Sequence, residues 1–230
     1  MTTTLITGAA KGLGMETAIQ LAAAGHTVYV AARDLARARA VAAAIGSRPV
    51  QLDVTRDDSV AAAAAQVASE TDSLDVLVNN AGISVPTPAA EVTATDLEQV
   101  YAVNVFGPVR VLHAFLPLLR ASDDPLVVNV SSGLGSLRRT TDPEAMESGF
   151  TVPAYNSSKA ALNMLTSQLA VAIPDVRQIA VTPSFTATDL NGHRGTDAPE
   201  HGVRAIVRAV TGEMAVPTGS FADSSGLIAW

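Results

Sequence analysis

The sequence predicts an α/β protein: one doubly wound parallel β-sheet, helices on both faces, residues 1–230 forming a single domain. Three observations predict it. Short runs of strand length alternate with helical patterns along the whole chain. Those runs are apolar at nearly every position, not at alternate ones. No linker or low-complexity tract divides the chain. Strands apolar on both faces need helices covering both, as in a parallel sheet. Right-handed crossovers then make the sheet doubly wound and put ligands at the carboxyl ends of the strands.

The elements follow in order. A strand over Thr3–Thr7 runs into glycine, and an alanine-rich helix reaches about Ala24, closed by Gly25. A second strand spans Val28–Ala32, and a helix from Asp34 to about Ile45 stops at Gly46. The third strand is expected over Val50–Val54, with Asp57 and Asp58 capping a helix through Ala61–Ala65. The fourth covers Leu74–Val78, before a long helix from about Thr95 to Arg120. A fifth strand at Leu126–Val130, a helix from about Tyr155 to Ile173 and a strand near Ile179–Thr182 complete the pattern. The widest irregular stretches, 133–153 and 186–202, follow strands on the ligand side, where they are expected to act as insert and lid.

Composition narrows the chemistry. With 48% hydrophobic residues among 230, a core needs no metal or disulfide support. There is no cysteine, so thiol catalysis, thiolate metal sites and disulfides are excluded. Four scattered histidines show no metal spacing, and no metal is expected; His113 reads as a buried or interfacial residue. The net charge of −7 argues against nucleic acid as a partner. No uncharged stretch approaches membrane-spanning length and no signal peptide opens the chain, so a cytoplasmic protein without a membrane partner is expected. Of fifteen basic residues only Lys11 and Lys159 are lysines, which marks both as places for a compact ammonium.

Thr7-Gly8-Ala9-Ala10-Lys11-Gly12-Leu13-Gly14 joins the first strand to its helix. Glycines there permit a tight turn and close approach of backbone to a pyrophosphate, and the helix N-terminus supplies N–H groups and positive dipole. Such a loop on the first strand is a dinucleotide site of the Rossmann type. After the second strand comes Ala32-Arg33-Asp34. Arg33 suits a 2′-phosphate and Lys11 can meet it from the first loop, which points to NADP(H). The rival is Asp34 as a ribose ligand.

Taken together, Thr7-Gly8-(x)3-Gly12-x-Gly14, Asn79-Asn80-Ala81-Gly82, Asn104, Ser132 and Tyr155-(x)3-Lys159 resemble the short-chain dehydrogenase/reductase family over essentially the whole chain. The ending Gly219-Ser220-Phe221 to Trp230 and Thr188-Asp189-Leu190 look like its carbonyl-reductase-like branch. The resemblance implies Tyr155 as acid/base, Ser132 (Ser131 as fallback) hydrogen-bonding the carbonyl, Asn104 holding a relay water, and Lys159 binding nicotinamide ribose. It also implies Asn80, Ala81 and Gly82 near the adenosine ribose and Asp53 and Val54 at the adenine. Pro183, Thr186 and Thr188 would reach the nicotinamide end. A phenol with an ordinary pKa near 10 is a poor reversible acid at neutral pH. The i, i+4 ammonium of Lys159 is expected to lower it by about 3 units, roughly 4 kcal/mol.

Two departures stand out. Pro183-Ser184 replaces the family's Pro-Gly, and the segment from Ser132 to Tyr155 is long. That insert could obstruct helix-bundle assembly, although the apolar helices around 100–119 and 160–173 favour a homo-oligomer. The expected function is NADP(H)-linked reduction of a ketone, aldehyde or quinone, or oxidation of the alcohol. The alternative is a dinucleotide-binding sensor without turnover. An epimerase or dehydratase would want a larger substrate domain.

Overall fold

The computed structural model describes residues 1–230. Its elements are β1 (Thr3–Thr7), α1 (Gly12–Ala23), β2 (Thr27–Ala32), α2 (Leu35–Ala44), β3 (Arg48–Gln51), α3 (Asp57–Ala68) and β4 (Val76–Asn79). Then come α4 (Ala94–Tyr101), α5 (Gly107–Arg120), β5 (Leu126–Val130), α6 (Leu137–Thr141) and α7 (Pro153–Ala172). The chain ends through β6 (Arg177–Val181), α8 (Pro199–Gly202), α9 (Arg204–Val210), β7 (Phe221–Asp223) and β8 (Gly226–Leu227). One eight-stranded sheet has the order β3-β2-β1-β4-β5-β6-β7-β8. All pairs are parallel except β7 with β8. The strand order reverses between β1 and β4, and a crevice outside that switch point is where such sheets bind ligands.

Successive strand residues point to opposite faces, and both faces are dry. Ile6, Val30, Val78, Val128 and Ile179 pack under Ala18, Leu21, Ala38 and Ile206. Their neighbours Leu5, Tyr29, Leu77 and Val127 pack under Val60, Val111, Phe115 and Leu119. Leu5 and Ile6 are both fully buried, which explains why the strands read as continuous apolar runs.

Three buried polar side chains interrupt that core and tie it together. The Asn79 amide donates to Asn129 Oδ1 at 2.9 Å, and the Asn129 amide donates to Thr166 Oγ1 at 2.9 Å. The row fixes β4, β5 and α7 against one another immediately below the site.

Several boundaries differ from expectation. β3 occupies Arg48–Gln51, not Val50–Val54. It is the edge strand, where Pro49 and a charged residue are tolerated, so apolarity misplaces it. Val54 instead fills the space left by Gly107, whose added Cβ would sit 2.8 Å from Val54 Cγ2. Asp57 and Asp58 occupy the first turn of α3, favourable to the helix dipole, while the N-cap position is Arg56. The fourth strand starts at Val76, two residues later than read.

The long helix runs 94–120 but contains a π-helical stretch at Ala102–Phe106. By length and composition it could cross a bilayer, yet it packs Val111, Leu112, Phe115 and Leu119 into the core and pairs Arg110 with Asp57. α9 and the β7–β8 hairpin are additional to the expected elements; β7 spans three residues and β8 two, too short to give a period.

Replacing Asn129 by Ala strands the Asn79 amide in a dry core, while the Thr166 hydroxyl keeps its bond to Leu162 O. It is expected to lower the unfolding free energy by about 2–4 kcal/mol, measured by urea denaturation.

Candidate active site

The loop after β1 is built around contacts that leave no room for side chains. Gly8 and Gly12 have positive φ, 67° and 55°. A Cβ on Gly14 would collide with the Asn80 amide and the Gly8 carbonyl. Thr7 Oγ1 accepts from the N–H groups of Asn80 and Ala81, both at 3.0 Å, and the Asn80 amide donates to Thr7 O at 2.8 Å and Gly8 O at 3.3 Å. Asn80, expected near the adenosine ribose, therefore turns its side chain inward and buttresses the glycine loop. The roles of Thr7 and Asn80 in holding that loop were not readable from spacing.

α1 begins behind this loop with no side-chain cap and no acidic residue in its first turn. Its leading N–H groups, from Gly12, Leu13 and Gly14, have no side-chain partner, and Cβ atoms added at positions 8 and 14 would strike Ala81, Asn80 and the Gly8 carbonyl. These residues fit a diphosphate.

At the far end of the crevice, Arg33 has no ion-pair partner. It lines a groove of about 900 Å³ together with Arg39, Gln51, Asp53 and Arg56. The rival Asp34 is already committed. Its Oδ1 caps α2 through Ala36 N and Arg37 N, and Oδ2 lies 3.3 Å from the Arg37 guanidinium. That leaves Arg33 as the free group suited to a 2′-phosphate. Burial pushes the Asp53 carboxyl up, but the hydroxyl and N–H of Thr55, with Arg33 and Arg56, outweigh it and hold the carboxyl below its usual range. Lys11, expected at the 2′-phosphate, instead reaches across the crevice to Asp189 Oδ2 at 2.8 Å.

The four expected catalytic residues converge. Ser132 follows β5, its Oγ accepts from Leu134 N at 3.2 Å, and its hydroxyl is near enough to the Tyr155 phenol to act on its pKa. Ser131 points the other way, bonded to Asn163 Oδ1 at 2.5 Å, so the fallback serine is structural. Lys159, only 4% exposed, donates from Nζ to Val130 O at 2.8 Å. That Nζ stands 5.6 Å from the centre of the Tyr155 ring. Asn104 lies in the π-helical stretch, where it accepts from Ile83 N and donates to Ile83 O and Ser158 Oγ at 2.9–3.0 Å. The compensation such a buried amide needs is thus the 82–83 turn and α7. Gly82 fits between them: an added Cβ would lie 3.5 Å from Asn104 Oδ1 and 3.6 Å from Lys159 Nζ.

The electrostatics differ from expectation. Burial pushes the Tyr155 phenol up to about 12, against the opposing hydrogen bond from Ser132. Burial pushes the Lys159 ammonium down to about 8. In the free protein burial, not the Lys159 ammonium bonded to Val130 O, sets the direction of the Tyr155 shift. In the free protein at neutral pH the tyrosine is a protonated donor beside a charged lysine.

The expected insert and lid roof this cluster. Arg139 of α6 bonds Glu147 Oε1 and Asp223 Oδ2, both at 3.1 Å, which ties the insert to β7. Ser136 Oγ donates to Ala229 O at 2.8 Å, and Arg138 N donates to Trp230 O at 3.1 Å. Glu147 tucks against Gly133, where any side chain would strike its carboxylate. The rings of Phe150 and Phe185 meet at 5.5 Å.

Pro183 follows β6, and Ser184 after it is exposed with φ outside the left-handed region, so serine there introduces no backbone strain. Thr186, expected to meet the cofactor, is buried with its hydroxyl on Ser184 O at 2.9 Å. Thr188 stays at the cleft, its Cγ2 3.8 Å from where a Cβ on Gly12 would stand. His193 bonds Asp189 at 3.0 Å, and His113 lies exposed on α5.

Comparison with known proteins agrees with this geometry. The family model for short chain dehydrogenases matches residues 2–199. A short-chain dehydrogenase of Penicillium roqueforti is 38% identical, over 90% of this chain and 87% of that one. An NADPH-dependent pterin aldehyde reductase of Arabidopsis thaliana is 33% identical over 82% of this chain and 76% of that one. The solved structure of an NADPH-bound carbonyl reductase from chicken fatty liver superposes with a TM-score of 0.89 at 26% identity, covering 99% of this chain and 98% of that one.

Burying the Lys159 ammonium opposes folding. Between about pH 8 and 10.5 the unfolded chain still holds the proton that the folded chain has released, so wild-type stability rises with pH across that window. Lys159→Met removes this penalty. It is expected to stabilise the cofactor-free protein by about 1–3 kcal/mol below pH 8, with the gain fading toward pH 10.5, measured by urea denaturation at a series of pH values.

Proposed function

The chain belongs to the short-chain dehydrogenase/reductase family of oxidoreductases, and on that premise we propose that it reduces a ketone, aldehyde or quinone carbonyl with NADPH. The observation that carries this reading is the buried Tyr155 phenol, close to Ser132 and with the buried Lys159 Nζ 5.6 Å from its ring centre.

The cofactor supplies the hydride. Ser132 holds the carbonyl oxygen through a hydroxyl that the Leu134 N–H also fixes. Tyr155, kept protonated by its dry surroundings, donates its proton to the developing alkoxide. Lys159 stabilises the phenolate that remains and would hold the nicotinamide ribose of a bound cofactor. It acts as a compact charge that a planar guanidinium could not replace. Asn104 holds the 82–83 turn that borders Lys159 and supports the relay returning a proton to Tyr155.

NADP(H) is favoured over NAD(H) because Arg33 is unpaired while Asp34 is committed to α2. The phenylalanine pair across the roof favours a medium-sized, mostly apolar carbonyl. An apolar groove of about 460 Å³ between α5 and α7, lined by Phe106, Val109 and Met164, supports a homo-oligomer.

NADPH oxidation against a panel of ketones, aldehydes and quinones tests the reading. Tyr155→Phe is expected to abolish turnover while leaving NADPH binding intact. Arg33→Ala is expected to raise KM for NADPH by about 10–100-fold and leave NADH nearly unchanged, as for loss of a charge-assisted bond. NADPH binding without oxidation by any carbonyl would indicate a sensor instead.

A further inference from the structure

Lys11 has two possible anionic partners and the structure shows only one of them. Its ammonium leaves the glycine loop, crosses the cofactor crevice and meets Asp189, with both side chains more than half exposed, 64% and 58%. Asp189 belongs to the 186–202 segment, which is tightly folded on itself. Thr186 pairs with Asp197, and Ala187 N bonds Asp197 O at 2.9 Å. The Asn191 amide holds Thr186 O at 2.9 Å, and Gly195 packs directly on the Thr186–Ala187 backbone.

Those bonds brace the 186–197 turn internally. Towards the glycine loop the segment has a single ion pair, Lys11–Asp189, beside Thr188 at Gly12, while its far end at α8 stays tied to α1 through the Gln20 amide on Glu200 O at 3.0 Å. An exposed pair of this kind is weak and easily exchanged. A phosphate monoester, carrying nearly two negative charges and three acceptor oxygens, is a stronger partner for an ammonium than one carboxylate.

We propose that Lys11 is shared between two anions, the Asp189 carboxylate in the free protein and the cofactor 2′-phosphate in the loaded one, so that NADP(H), unlike NAD(H), unlatches the 186–202 lid as it binds. Asp189 is then a specificity-determining residue. It competes with the 2′-phosphate for Lys11 and weakens NADP(H) binding without touching the cofactor. The inference rests on the NADP(H) reading, with Arg33 as the permanent 2′-phosphate ligand and Lys11 as the exchangeable one.

The test uses half-cofactors, which cannot contact the lid through the nicotinamide. Hydrogen exchange across 186–202 and calorimetric affinities are measured for 2′,5′-ADP and for ADP on the cofactor-free protein and on Asp189→Asn. In wild type, 2′,5′-ADP speeds exchange in the lid and ADP does not. Asp189→Asn exchanges faster without ligand and binds 2′,5′-ADP about two- to fivefold tighter, with ADP unchanged, in keeping with an exposed ion pair. Lys11→Ala opens the lid as Asp189→Asn does but loses part of the preference for 2′,5′-ADP.

If 2′,5′-ADP binds well yet leaves lid exchange unchanged, or if Asp189→Asn gains no affinity for it, the shared-lysine proposal is overturned and the NADP(H) reading stands. If 2′,5′-ADP binds no better than ADP, both fall together.

Discussion

The site depends on one hydrogen bond: a buried ammonium held against the last carbonyl of a central strand. Lys159 reaches from α7 to Val130 O at 2.8 Å, and almost everything at the reaction centre is arranged around that contact. Val130 ends β5, so the next two residues are the serines that divide the labour. Ser131 locks to α7 through Asn163, and Ser132 faces Tyr155. Gly82 lies between Lys159 and Asn104, where an added Cβ would just touch both. Burying a cation is unfavourable and pushes the Lys159 ammonium down to about 8, yet a charge in a dry site acts far more strongly on a neighbouring phenolate than one in water.

Below the site, a row of polar groups supplies the rigidity such an arrangement needs. Asn79, Asn129 and Thr166 cross from β4 through β5 to α7, the elements that carry Gly82, Ser132 and the Tyr155–Lys159 pair. Above it, the insert and the 186–202 segment are fastened at different points. The insert is tied to the C-terminal hairpin by partly buried Arg139 and by backbone bonds. The lid reaches the glycine loop through an exposed pair. The two fastenings differ in solvent exposure: the pairs of the insert are partly buried, and the Lys11–Asp189 pair is exposed.

Much of this was legible in the sequence, and for physical reasons. Strands buried on both faces announce themselves as apolar runs, and the glycine loop and the Tyr155–Lys159 spacing carry their geometry in residue type. Edge elements were less legible. β3 contains Arg48 and Pro49 because an edge strand needs neither apolarity nor every N–H. β7 and β8 are too short to show a period. Long-range pairings were not legible at all. Nothing near Lys11 in sequence reveals Asp189, 178 positions later, and nothing near Asn80 reveals that its amide turns back on Thr7. The direction of the Tyr155 shift was also missed, because i, i+4 spacing gives proximity to an ammonium but not how deeply the phenol is buried.

The central claim is that Lys159 is a buried cation whose proton is loosely held. The chain has only two lysines, so 13Cε-lysine labelling gives two side-chain signals, and Lys11→Arg assigns them. Their titration in the cofactor-free protein is the most direct measurement. The account requires Lys159 to titrate near pH 8, well below the ordinary lysine value of 10.5. A Lys159 signal that titrates at that ordinary value would contradict it, and with it the picture of a dry ammonium beside a protonated tyrosine.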